Sequence, residues 1–171
     1  MNAYIALLRA VNVGGTGKLP MTELKAMCEA AGFKQVQTYI ASGNVVFKSA
    51  KTEAQVKATL ENALAAYAGK PVGVMVRTAA EMAGVLSANP FHQMASNRTA
   101  AHFLDAAPPA DLMKTVSNQT NEKIGPGLRE IYVYYPDGMG QSKLKIPAAK
   151  NGTARNMNTV AKLAEMGAGL K

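Results

Sequence analysis

Tryptophan is absent from this chain, cysteine occurs once, and histidine occurs twice. A single thiol, Cys28, excludes an intramolecular disulfide, and with only His92 and His102 to join it there is no zinc-ligand spacing. No apolar run approaches the ~20 residues of a membrane span, and the N-terminal stretch lacks a basic start and an uninterrupted apolar core, so neither membrane insertion nor secretion is expected. A reducing cytoplasm is the expected location. The matches to Asn-X-Ser/Thr at Asn97, Asn118 and Asn151 are then chance matches. No Gly-x-Ser-x-Gly elbow is present, and the eleven acids all fall in amphipathic or turn contexts that explain them without catalysis.

Acid is missing locally as well. Met1–Thr22 contains none, only Arg9 and Lys18, and Gly138–Ala164 again contains none while carrying Lys143, Lys145, Lys150, Arg155 and Lys162. The net charge is +8, which suits anionic partners, either a phosphate-bearing small molecule or nucleic acid, although surplus lysine also serves solubility. With 171 residues, 48% of them hydrophobic, the chain is long enough to bury its own core.

Periodicity divides the chain. Tyr4–Leu8 is a β-type run, and Thr22–Ala31 is helical, with Leu24, Met27, Cys28 and Ala31 on one face. Gly32 is placed to cap that helix and Phe33 to fold back on it, and the face that Cys28 shares with Leu24, Met27 and Ala31 predicts a buried, inert thiol. Val36–Ala41 and Val45–Lys48 flank the turn Ser42-Gly43-Asn44, Glu53–Tyr67 is a second helix, and Val72–Arg77 a fourth strand. This β-α-β-β-α-β order is the split βαβ unit. The runs "YIALL", "NVVF" and "IYVYY" are apolar at consecutive positions, so both sheet faces should be covered. That disfavours an open RNA-binding platform, and "NVVFKS" lacks the aromatic pattern such a platform needs.

After a connecting helix at Ala79–Ser87 the order partly repeats, with strands at Ala100–Leu104, Glu122–Ile124 and Glu130–Tyr135, a helix at Pro109–Val116, a helical stretch near Lys143 and a helix at Ala154–Met166. The expected class is α+β: two ferredoxin-like plaits, residues 1–78 and a less regular 79–171, with largely antiparallel sheets and helices packed on them.

Five segments in this order, "ALLRAVNVGG", "TYIASGNVVF", "NPF", "DGMGQSKL" and "TARNMNTVAKL", resemble those of domain-of-unknown-function family 1697, small and mostly bacterial cytosolic proteins. The resemblance spans nearly the whole chain. It implies two ferredoxin-like parts and no established reaction, substrate or cofactor. The chain departs from the family pattern at Ala10, where glycine is common, at Gln141, where arginine is common, and at Met157, where tryptophan is common.

Two stretches are candidate sites. "NVGGTGKLP" is not a phosphate-binding P-loop, because aligning Gly17-Lys18 puts Asn12 at the first glycine position and Leu19 at the magnesium-binding hydroxyl position. Topology nonetheless gathers Arg9, Asn12, Gly14, Gly15 and Lys18 after the first strand, Ser42, Gly43 and Asn44 after the second, and Lys70 before the fourth, beside the first helix N-terminus. The turn glycines and the two asparagines have a plainer use as backbone-bonding turn residues. The second stretch is Ser142-Lys143, entered through Gly-x-Gly, followed by Arg155, Asn156 and Asn158 with Thr159 and Lys162 on a polar helix face capped by Thr153. An anion-binding protein is the leading expectation, as a monomer or weak homodimer with no cofactor and no metal. Two alternatives are an enzyme acting on a phosphate- or carboxylate-bearing substrate at Arg9, Asn12, Ser42, Asn44, Lys143 and Arg155, and a protein-interaction module.

Overall fold

The computed structural model describes residues 1–12 and 18–170. Two four-stranded antiparallel sheets organise it, and the chain divides into compact units of Met1–Ala83 with Leu163–Lys171, and Gly84–Lys162. None of the described helices is long and apolar enough to cross a membrane.

In the first unit, β1 (Asn2–Leu8), α1 (Met21–Ala30), β2 (Lys34–Tyr39), β3 (Asn44–Ser49), α2 (Glu53–Ala68) and β4 (Val74–Thr78) follow in sequence, and the sheet order is β2-β3-β1-β4. Helix α1 ends as expected. Gly32 takes φ 89° and its N–H bonds the Glu29 carbonyl, while the Phe33 N–H reaches back to the Cys28 carbonyl at 3.1 Å, satisfying two end carbonyls at once. Phe33 then stacks on Phe47, with ring centroids 4.3 Å apart. Helix α2 starts at a reciprocal cap in which Thr52 Oγ1 accepts from the Gln55 N–H and Gln55 Oε1 accepts from the Thr52 N–H. Val56, Leu60 and Leu64 face the sheet and join Tyr4, Ala6, Leu8, Phe47 and Val76 in one core. The opposite face of β1 is closed too: Ile5 and Leu7 are fully buried, and Gly167, near the C-terminus, lies so close to Ile5 and Ala79 that a Cβ there would sit 3.1 Å from each.

In the second unit, β5 (Thr99–Phe103), α4 (Leu112–Thr115), β6 (Lys123–Pro126), β7 (Glu130–Tyr134) and β8 (Thr153–Asn156) give the order β6-β7-β5-β8, the same arrangement strand for strand as the first sheet. Helix α3 (Ala79–Ser87) precedes this run and α5 (Met157–Ala168) follows it. Three expectations are corrected here. Helix α4 is a single turn, Leu112–Thr115, which starts at Asp111 without a side-chain cap and ends where Val116 turns extended. No α-helix forms near Lys143, where the chain makes only short 3-10 turns at Met139–Gln141 and Pro147–Ala149. The expected helix at Ala154 begins instead at Met157, since residues 153–156 pair with β5 along its free edge, Ala101 opposite Arg155 and Phe103 opposite Thr153. The cap is therefore Asn156, whose Oδ1 accepts from the Thr159 N–H at 3.0 Å, and not Thr153.

Candidate functional site

The antiparallel pairings bring the carboxyl ends of β1 and β2 and the amino ends of β3 and β4 to one edge of the first sheet, with Leu7 opposite Asn44 and Leu8 opposite Val74. Backbone bonds continue past the strands: the Leu8 N–H donates to the Gly43 carbonyl at 2.8 Å and the Arg9 N–H to the Gly73 carbonyl at 2.9 Å. Helix α2 is pinned to the same edge. Glu61 Oε2 accepts from the Val74 N–H at 3.1 Å and from Lys57 Nζ at 3.1 Å, and Lys57 also donates to the Val74 carbonyl.

At this edge lies a cleft of about 520 Å³. Arg9, Lys18 and Lys70 line it together with an apolar floor that includes Leu64 and Val72, and Tyr67 stands at its side. None of the described lining residues is acidic or a histidine. Three cations from two connections, Arg9 and Lys18 between β1 and α1 and Lys70 between α2 and β4, therefore share one concave, partly apolar site, whose chemistry suits a phosphate or carboxylate on a ligand with a nonpolar part. The start of α1 contributes less than expected to this charge, because Glu23 already occupies its first turn.

The other candidates at this edge build the turn. Asn12 Oδ1 accepts from the Leu19 N–H at 2.7 Å, and its Nδ2 donates to the carbonyls of Leu19 at 2.9 Å and Ala41 at 2.8 Å. Asn44 is fully buried, and its Nδ2 donates to the Tyr39 carbonyl and to Ser42 Oγ, both at 2.9 Å. Gly43 has φ 91°, and a Cβ there would lie 2.7 Å from a Val11 methyl, so the position requires glycine twice over. Gly14 and Gly15 lie outside the described residues. Ala10 takes φ 54° and Asn12 φ 56°, left-handed conformations that cost an alanine more than an asparagine.

The second stretch is arranged differently. Ser142 Oγ donates to the Glu122 carboxylate and accepts from the Leu144 N–H at 3.1 Å. Glu122 is buried, and the Ser142 hydroxyl together with the Thr120 N–H holds its carboxyl below the usual carboxylate range. Lys143 and Gln141 line a cavity of about 140 Å³ with Glu122, Asp137 and Tyr135. Burial, with the Glu122 charge second, raises the Tyr135 phenol to about 12, and Tyr135 Oη stands 2.9 Å from His102 Nε2. Burial alone lowers His102 to about 4. Nothing in the spacing of Glu122, Tyr135 and His102 along the sequence foretells their meeting.

Arg155 is not on an exposed helix face. It lies on β8, buried, with Nη1 donating to Thr153 Oγ1 at 2.8 Å and to the Ala154 carbonyl at 2.9 Å, and desolvation lowers it to about 10. Thr159 is buried as well, Asn156 caps α5, and Asn158 Oδ1 accepts from Ser96 Oγ at 2.6 Å.

Residues 1–132 match the profile of a family described as protein of unknown function, DUF1697. The chain belongs to this family. A solved structure with the same fold is that of the conserved bacterial protein SP0830 from Streptococcus pneumoniae, 24% identical, with a TM-score of 0.78 over 96% of this chain and 98% of that one. No curated protein sequence matches the chain. Among the described residues no group of histidine, cysteine and carboxylate side chains could hold a metal ion.

Proposed function

We propose that this member of the DUF1697 family is a cytoplasmic binding protein for a phosphate-bearing anion, and that the cleft of Arg9, Lys18 and Lys70 is its site. The observation that carries the reading is the convergence of these three cations on a cleft of about 520 Å³ with no carboxylate among its described lining residues. Asn12, Ser42, Gly43 and Asn44 act as the frame that fixes Arg9 and Lys18 in place. We read both units as ferredoxin-like plaits, each using the βαββ(α)β path, with the binding edge in the first. Binding is favoured over catalysis because the described lining offers no histidine or carboxylate to move a proton. The buried, free Cys28, raised to about 12 by burial and then by Glu29, suits a reducing compartment.

Titration with inorganic pyrophosphate at low salt tests the proposal. Binding should be independent of magnesium, weaken as salt rises to screen the cations, and fall several-fold in Lys18→Ala and in Lys70→Ala, with thermal midpoints close to the parent because both side chains are exposed. Absence of binding at low salt, or affinity unchanged in both variants, overturns it. A nucleic acid partner would instead show affinity falling linearly in log salt, with a slope set by the phosphates neutralised.

A further inference from the structure

Helix α2 buries Val56, Leu60 and Leu64 in succession, and the next position of that stripe is Tyr67. There the sheet has ended, and the phenol is 47% exposed, the one aromatic among the described large hydrophobic residues left so open. It borders the cleft, three residues beyond buried Leu64 and three before Lys70.

An inorganic phosphate, occupying the space of a few waters at ~30 Å³ each, fills only a small part of this cleft. The rest of the lining is aliphatic or phenolic, and water there gains little by remaining. A ligand matched to the whole site carries a doubly charged phosphate for the cations and a flat apolar group for the floor and the Tyr67 ring. Resting on the anion reading above, we propose that the ligand class is a mononucleotide or a similar phosphate ester with a planar ring, and that Tyr67 recognises the ring by stacking.

Four probes of known structure separate the two readings: pyrophosphate, ribose 5-phosphate, adenosine 5′-monophosphate and hexyl phosphate, titrated at low salt into the full chain and into Tyr67→Ala and Tyr67→Phe. The nucleotide should bind about tenfold more tightly than ribose 5-phosphate, which carries the same phosphate, as expected for one base on one aromatic ring. Tyr67→Ala should erase that margin while ribose 5-phosphate still binds, and Tyr67→Phe should keep it. Equal binding of the two sugar phosphates by the parent chain, or a margin that survives in Tyr67→Ala, overturns the ring assignment and leaves the anion site standing. Hexyl phosphate binding as tightly as the nucleotide overturns it in favour of an aliphatic chain. Failure of all four probes to bind overturns both readings together.

Discussion

Asn12 and Leu19 hold each other through a reciprocal pair, the asparagine accepting from the Leu19 N–H at 2.7 Å and donating to its carbonyl at 2.9 Å. One side chain thereby ties together the two ends of the loop that carries Arg9 on one side and Lys18 on the other. Its remaining amide proton goes to Ala41, so the turn after β2 is fastened to the same point.

Replacing Asn12 should therefore act on shape and affinity at once. Asn12→Ala loses three hydrogen bonds, each worth about 1 kcal/mol, and places an alanine at φ 56°. A loss of roughly 2–3 kcal/mol by urea denaturation is expected. Asn12→Gly should be less damaging than Asn12→Ala, because it removes the bonds without the left-handed strain. Both should weaken pyrophosphate binding although Asn12 itself is not expected to touch the anion. Ala10→Gly, at φ 54°, should be neutral or mildly stabilising in the same assay.

Arg155 gives the opposite pattern. Its guanidinium is buried and bonded to Thr153 and Ala154, so Arg155→Ala should cost roughly 1–3 kcal/mol and lower the thermal midpoint. Pyrophosphate affinity should not change, since Arg155 does not line the cleft. A variant that keeps its midpoint but loses affinity would return Arg155 to the binding surface.

The first unit was legible because its signals are local. Gly32 with Phe33, the Ser42-Gly43-Asn44 turn and the 3.6-residue stripes of α1 and α2 each specify geometry within a few residues, and the strand order then brings Arg9, Lys18 and Lys70 to one edge. Tyr67 reads in the sequence as one more residue of a core stripe, and only its place at the cleft beyond Leu64 leaves it exposed. In the second unit, Thr153–Asn156 has the composition of a helix start. What makes it a strand is the unpaired edge of β5, over fifty residues earlier, and that competition is invisible to any local pattern. The pairing of Ser142 with Glu122 is non-local in the same way: the acid-free stretch Gly138–Ala164 meets its acid from outside.

Acid should expose the state of His102. Burial lowers its pKa from 6.5 to about 4 in the folded chain, where the neutral ring accepts from the Tyr135 phenol when its own proton sits on Nδ1. Between those two values the unfolded chain takes up a proton that the folded chain does not. Stability is therefore full above pH 6.5 and falls as the pH drops toward 4, by on the order of 2 kcal/mol given the partial exposure of the ring. Glu122 works in the same direction but lower down: its carboxyl is depressed in the fold, so its contribution is present above its ordinary value of 4.5 and is lost as the pH falls below that. The window from pH 6.5 to 5 thus isolates the histidine. Urea denaturation across it should show stability declining with acidification in the parent chain and a flatter profile in His102→Gln, whatever the absolute stability of that variant. An equally steep decline in His102→Gln would assign the proton to another group, and a parent chain that gains stability on acidification would mean that the ring is charged in the fold.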